Sequence, residues 1–494
     1  MIRTVLLFVI TGLMGSASEL FAADRNIILF VTDDMGPDAG CYGNAVIKTP
    51  HLDALAKDGI RMTSVFCTTA SCSASRSVIL TGMYNHANAQ YGHEHSYHHF
   101  RTADNIKSLP VRLTEAGYRT ARIGKLHVGP EEVYKFGLAL PGNARSPVEM
   151  ADNCRELIAA KSDKPFFLYF CTADPHRSGG GGRTLTPALS QGERELKADP
   201  FGNRPQGYPG ITEVKYEPKD VLVPPFLPDT KACREELTQY YQSVSRIDQG
   251  LGRLVQILQE NGHYDDTLVI FTSDHGIAFP GAKTNLYEPG MKVPMVVRGQ
   301  GKTLTPTLSQ GERGQGTDCD AMVCHADLTP TILEFAGVVE KGAKPQAGAQ
   351  IQGKSFLHSL RDEKAKGSDE VYASHTFHEI TMYYPMKVVR TRTHKLIWNI
   401  AHPLPFPFAS DLWDASTWQD VYQHGPDTTY GKRTVTAYIH RPQFELYDLV
   451  NDPDEVKNLA TDPANAKLLE ELKGKIKAFQ KRTNDPWILK WEYE

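Results

Sequence analysis

Four apolar runs, Ile27–Thr32, Tyr118–Ile123, Phe166–Cys171 and Leu268–Thr272, each end in a polar cluster, and this repeated pattern constrains the fold most. The clusters are Asp33-Asp34, Gly124-Lys125-Leu126-His127, Ala173-Asp174-Pro175-His176 and Ser273-Asp274-His275-Gly276. Such runs read as buried strands, and helical patterns alternate with them, as in an α/β sheet. In an open α/β sheet, ligands bind in the crevice beyond the carboxyl ends of the strands, so residues far apart in sequence converge there. A single cluster could be a helix cap or a turn. Four at equivalent strand ends predict one pocket.

Val293–Val297 reads as a fifth strand, and Thr49-Pro50 marks a helix start. A long helix is expected over Leu237–Asn261, closed by Gly262, and another over Ala326–Phe335, closed by Gly337. Beyond about residue 370 the texture changes: Lys387–Trp398 and Phe444–Leu449 read as strands of a smaller sheet, and Ala466–Arg482 as a terminal helix. The expected organisation is a signal peptide over 1–22, a catalytic domain over 24–370 and a smaller C-terminal domain over 371–494. An eleven-residue segment, Thr184 to Arg194, recurs as Thr303 to Arg313 with one difference. Both copies are polar and flanked by glycines, so they are expected to be loop insertions, about 179–195 and 300–316.

Arg3, the apolar run Val5 to Met14 and small residues around Ala22 and Ala23 have the layout of a secretory leader, so the protein is expected to be exported, to the periplasm or outside the cell. Ten apolar residues are too few to cross a bilayer core needing ~20, and no stable membrane insertion is expected. With 54 Lys and Arg against 58 Asp and Glu, net charge −4, there is no basic excess for a nucleic-acid partner. The eight cysteines are spread out and include no Cys-x-x-Cys pair, so most read as core thiols.

Asp33, Asp34 and Asp274 would repel one another in one pocket unless a cation neutralised them. Oxygen ligands suit a hard ion, calcium or magnesium. His275 is either a nitrogen ligand or a hydrogen-bonding neighbour of the ligands. The histidine-rich stretch His86, His93, His95, His98 and His99 has no defined ligand spacing and reads as pocket wall or polar surface. Cys72, in Cys72-Ser73-Ala74-Ser75-Arg76, falls in the first turn of a short helix, where the free N–H groups are expected to favour an anion and to acidify a thiol.

Cys72-x-Ala74-x-Arg76 followed by Leu80-Thr81-Gly82, with the Asp33-Asp34, Gly-Lys-x-His, Asp-Pro-His and Ser-Asp-His-Gly clusters in this order, resembles the type I, formylglycine-dependent sulfatases. Within that family, Gln90-Tyr91-Gly92, His98-His99-Phe100, Asp174-Pro175-His176-Arg177, Thr284-Asn285-Leu286-Tyr287, Met382 to Met386 and Asn484-Asp485-Pro486-Trp487 are similar to the sulfamidase branch, over roughly Asn26 to Trp487. The resemblance implies an alkaline-phosphatase-like fold: a large mixed sheet sandwiched by helices, and a smaller C-terminal antiparallel sheet. It implies that Cys72 is oxidised to formylglycine, that Arg76 holds the hydrate, and that Asp33, Asp34, Asp274 and His275 bind one calcium ion. Lys125, His176 and Lys283 would contact the sulfuryl oxygens, His127 would expel sulfate by taking a proton, and His176 would supply the proton for a leaving amine. His98, His99, His378 and Glu379 would contact the sugar. Ala74, His275 and Lys283 replace the proline, asparagine and arginine more usual at these places.

The implied function is release of sulfate from a sulfated sugar, the N-sulfate of glucosamine in heparan-type glycans first. An O-sulfatase on another glycan, a metal-dependent phosphohydrolase and a silent glycan-binding protein with unmodified Cys72 are the rivals; Cys72 with Arg76 speaks against the phosphohydrolase. The implied partners are the sulfated saccharide and a formylglycine-generating maturation enzyme, with a homodimer left open.

Overall fold

A computed structural model describes residues 25–178, 199–299, 317–338, 351–360, 365 and 367–493. The leader and both repeated segments lie outside the described residues. The first strand, β1 (Asn26–Thr32), is buried at every position. It pairs in parallel with two others, Ile27 standing opposite Phe167 on one side and Leu268 on the other. With neighbours on both edges and helices on both faces, such a strand exposes no side chain to water, which explains its unbroken apolar run.

The other strands of this sheet are β2 (Ile60–Met62), β3 (Arg119–Gly124), β4 (Leu138–Leu140), β5 (Phe166–Cys171), β6 (Thr267–Ser273), β7 (Met295–Arg298) and β8 (Thr317–Cys319). They lie in the order β4-β3-β5-β1-β6-β7-β2-β8. All neighbours are parallel except that β7 runs antiparallel to both β6 and β2. The sheet is therefore mixed. β3, β5, β1 and β6 are consecutive and parallel, so their carboxyl ends open on one edge.

The covering helices follow local signals. α1 (Pro50–Asp58) starts with proline at its first position, where no N–H partner is needed. α2 (Cys72–Thr81) is buried along its whole length and ends at Gly82, in the left-handed region at φ 67°. α3 (Pro147–Asn153) packs on α4 (Lys231–Glu260), a 30-residue helix whose Thr230 side chain accepts from the Cys233 N–H. α4 begins six residues earlier than its apolar periodicity indicates, because Thr230 supplies the cap. Gly250 lies where α3 crosses it, and a Cβ there would collide with Pro147. α5 (Leu328–Phe335) is preceded by a 3-10 turn over His325–Asp327.

The smaller antiparallel sheet comprises β9 (Glu370–Phe377), β10 (Tyr383–Thr391), β11 (His394–Asn399) and β12 (Phe444–Asp448), in chain order. The stretch Lys387–Trp398 thus resolves into two strands joined by a tight turn at Arg392 and Thr393. β9 is absent from the sequence reading because Ser374, His375 and Thr376 break its apolar pattern; His375 and Thr376 are nevertheless buried. A four-residue helix, α6 (Ser410–Trp413), follows β11, and α7 (Ala466–Thr483) covers this sheet. Among the described residues no helix is long and apolar enough to cross a membrane. No disulfide joins any of the eight cysteines, all of which lie among the described residues, and seven of them are buried.

Candidate active site

The four strand ends deliver their polar clusters to one place. β1 runs out into Asp33 and Asp34, with Asp34 at φ 66°, a conformation aspartate tolerates better than bulkier residues. β6 delivers Asp274 and His275, and the Asp34 N–H donates to Asp274 Oδ1 at 3.0 Å. β3 ends at Gly124, φ 78°, where a Cβ would collide with the Cys171 carbonyl; this turn sets Lys125 and His127. Beyond β5 lie Asp174 and His176. The amino end of α2 brings Cys72 and Arg76 into the same volume.

Every charge in the centre is paired. Asp33 accepts from Lys125 Nζ at 2.6 Å and from Arg76 Nη2 at 3.1 Å. Arg76 also donates to Asp274 Oδ2 at 3.0 Å and to the Lys125 carbonyl at 3.2 Å. Asp34 meets His275 Nε2 at 2.8 Å through Oδ1 and Lys283 Nζ at 2.9 Å through Oδ2. Lys283 Nζ also donates to Asp411 Oδ2 at 2.6 Å and faces His176 Nε2 at 3.1 Å. The Cys72 sulfur lies 3.5 Å from Asp34 Oδ1 and 3.4 Å from His275 Nε2.

The titration behaviour follows from this network. Burial opposes ionisation of Asp33 and Asp34, yet Lys125 for the first and Lys283 for the second hold them well below the ordinary carboxylate range. Burial pushes Asp274 up to about 6 against the pull of Arg76. Burial also opposes a charge on His275, but Asp34 and Asp274 outweigh it and raise it well above the usual value. Burial and the ammonium of Lys283 bring His176 down to about 3, and burial with Lys125 holds His127 well below its normal range.

Asp34, Asp274, His275 and Cys72 each offer a ligand atom, all within 4.8 Å of one another. This donor set can take a divalent cation: two buried carboxylates converge, and His275 Nδ1 is fixed on the Gly276 carbonyl at 3.0 Å, leaving Nε2 aimed inward.

Several residues depart from the sequence reading. Cys72 is not acidified: burial raises its thiol to about 11, outweighing its place in the first turn of α2. Arg76 is committed to Asp33 and Asp274, and Asp33, held by two cations, lies outside the donor set. His176 is neutral at ordinary pH in the free site, so it is no preformed acid. His378 is buried, 2% exposed, with Nδ1 on Ser71 Oγ at 2.9 Å and Nε2 on His93 Nε2 at 3.0 Å, which puts it behind the rim. Glu379 accepts from the N–H and hydroxyl of Ser410, at 3.0 and 2.6 Å, and so caps α6. His98 Nδ1 accepts from the Ile380 N–H at 3.0 Å, while His99 is exposed at φ 49°.

Of the histidine-rich stretch, His93 and His95 gather at His127, whereas His86 packs against Asp485 and Phe479. His95 Nδ1 contacts His127 Nε2, and the ligand atoms of His93, His95 and His127 lie within 4.8 Å of one another. Asp411 is the residue the sequence reading lacks. It follows no strand, and its only local feature, the amino end of a four-residue helix, carries no chemical signal.

A family model described as Sulfatase matches residues 25–338, and one described as N-sulphoglucosamine sulphohydrolase, C-terminal, matches residues 279–424. The chain is 39% identical to human N-sulphoglucosamine sulphohydrolase over 94% of its own length and 92% of the relative's. It is 29% identical to an ulvan-active sulfatase of Formosa agariphila, over 96% and 83%. A solved structure holding D-glucosamine-2-N,6-O-disulfate as its substrate shares the fold with TM-score 0.64 at 20% identity, covering 94% of this chain and 99% of that one. The chain thus shares with that structure the alkaline-phosphatase-like architecture of a large mixed sheet with a smaller antiparallel one.

Proposed function

The chain belongs to the sulfatase family, and on that premise we propose that it releases sulfate from the N-sulfate of glucosamine in heparan-type glycans. One observation carries the choice of substrate: 39% identity over nearly the full length of both chains to a human enzyme named for N-sulfoglucosamine. The match to the C-terminal model supports it, because residues 279–424 contain Lys283, His378, Glu379 and Asp411, which line or support one side of the site.

Asp34, Asp274 and His275 would hold the calcium-like ion, which when bound adds stabilisation of charge on the sulfuryl oxygens. Cys72, matured to formylglycine, would supply a hydrated aldehyde with one hydroxyl to attack sulfur and a second for release. The chain's own groups do the rest. Lys125 and Lys283, each fixed by carboxylates, present ammonium groups to the negative charge that develops on the sulfuryl oxygens. Arg76 pairs with Asp33 and Asp274 and so orders the floor of the site beneath Cys72. His127, neutral and with a buried Nδ1 that has no hydrogen-bond partner, is the base that accepts the hydroxyl proton during release. His176 receives Lys283 and borders the leaving group. The leader would direct export to the periplasm or beyond, and a formylglycine-generating enzyme would be a partner on the way.

The test is sulfate release by purified protein from glucosamine N-sulfate and from glucosamine 6-O-sulfate. N-sulfate turnover at least tenfold faster is expected. Preference for the O-sulfate would replace the proposal with an O-sulfatase, and binding of both sugars without turnover of either would favour a silent binding protein.

A further inference from the structure

Asp411 sits 6% exposed beside the sulfuryl pocket, and only half of its carboxylate is used. Oδ2 accepts from Lys283 at 2.6 Å, whereas Oδ1 is buried without any hydrogen-bond partner. A carboxylate oxygen of Asp411, one of Asp34 and a ring nitrogen of His176 lie within 4.8 Å of one another, so Asp411 is at the site itself. Its placement is enforced from outside: Glu379 holds Ser410 through two hydrogen bonds, and Lys283 holds Asp411.

This geometry is a puzzle for a pocket whose ligand is an anion. The negative charge of Asp411 works against a sulfuryl group, and an unpaired buried carboxylate oxygen is costly. A donor carried on the ligand relieves both penalties at once. Resting on the N-sulfate reading above, the donor is at hand: the atom bridging sugar and sulfur bears an N–H in an N-sulfate and nothing in an O-sulfate.

We propose that Asp411 is a specificity-determining residue that reads this bridging N–H through Oδ1 while its Oδ2 positions Lys283. A site built to receive a donor rejects the analogue lacking it, because the buried acceptor is then left unpaired. The same carboxylate would remain in contact with the nitrogen as it leaves as an amine, when it carries more protons.

Two small monoanions isolate the effect: N-methylsulfamate and methyl sulfate have the same charge and nearly the same shape and differ in the N–H alone. Their binding is measured by calorimetry on the full-length, calcium-loaded Cys72→Ala protein, in which turnover is stopped. N-methylsulfamate should bind at least about tenfold more tightly, as one charge-assisted hydrogen bond would give. Adding Asp411→Asn keeps an oxygen for Lys283 but offers an N–H₂ group to the ligand. It should bring the ratio of the two affinities to about one while methyl sulfate binds as well as before or better.

Equal affinity of the two anions for the parent protein would overturn the proposal without any Asp411 variant. A ratio that survives in both Asp411→Asn and Asp411→Ala would overturn it too, as would an equal loss for both anions, which would leave Asp411 only its hold on Lys283. A protein that discriminates the anions through Asp411 yet leaves glucosamine N-sulfate intact would sustain the role of Asp411 and remove the proposed function.

Discussion

Lys283 has no exposed surface and makes three polar contacts, to Asp34, Asp411 and His176, so removing any one partner leaves the others to hold it. This redundancy shapes what an Asp34 variant should do. Asp34→Asn keeps the shape and leaves Lys283 paired with Asp411, so stability should fall by about 1–3 kcal/mol, the cost of weakening a charged hydrogen bond. Calcium content and turnover should both fall by at least ~100-fold, because a carboxylate of the donor set is gone. Elemental analysis beside a sulfate-release assay checks this; a variant retaining stoichiometric metal and activity would contradict it. Exhaustive chelation of the parent protein should likewise abolish turnover. Asp33, Asp34, Lys125, His127, His176, Asp274 and His275 were legible because they follow strand ends, where chemistry has a known address, whereas Cys72 and Arg76 were legible from their place at the start of a short helix. Asp411 was not, and neither was the capping role of Glu379, because both depend on a contact between segments 31 residues apart that no local pattern signals.

Glu288 ties the segment that carries Lys283 to the smaller sheet. It pairs with Arg390 on β10, at 3.2 and 3.1 Å, and with Lys395 on β11 at 2.8 Å. Burial opposes its ionisation, but Lys395 and Arg390 prevail and lower it to about 2. An unfolded glutamate titrates near ~4.3, so the folded protein holds this group ionised more strongly. The resulting stability is fully present above pH ~4.3 and is lost as pH falls toward the folded value. Glu288→Gln should therefore lower the melting temperature at pH 7 and flatten the decline between about pH 5 and pH 2.5, measured by thermal denaturation across that range. A variant with the same acid limb as the parent would show that Glu288 contributes nothing there. At this scale the strands flanked by parallel neighbours were readable from their apolar runs, to within a residue or two. β9 escaped, since a strand that buries His375 and Thr376 carries no apolar periodicity.

The repeated segments bear on the molecule as a whole. On either side of the first, the Ser178 N–H donates to the Pro200 carbonyl at 2.7 Å, so the chain is already closed where the insertion departs. Around the second, Val297 and Thr317 both face Ile60, one on each side of β2, a gap of about 10 Å at two strand spacings. Replacing each segment with a short Gly-Ser link should leave the melting temperature within about 2 °C, because shortening a loop changes closure entropy little. A larger loss would show that the segments pack. The central claim is that chemistry at the sheet's edge proceeds from a residue that begins as Cys72, whose thiol, raised to about 11, is a poor nucleophile as it stands. It is tested most directly by mass spectrometry of the tryptic peptide Met62–Arg76 from protein of known specific activity, with a hydrazide tag for carbonyl groups. Activity should track the fraction of peptide carrying a tagged aldehyde at position 72, and fully active protein with only a thiol there would contradict the account.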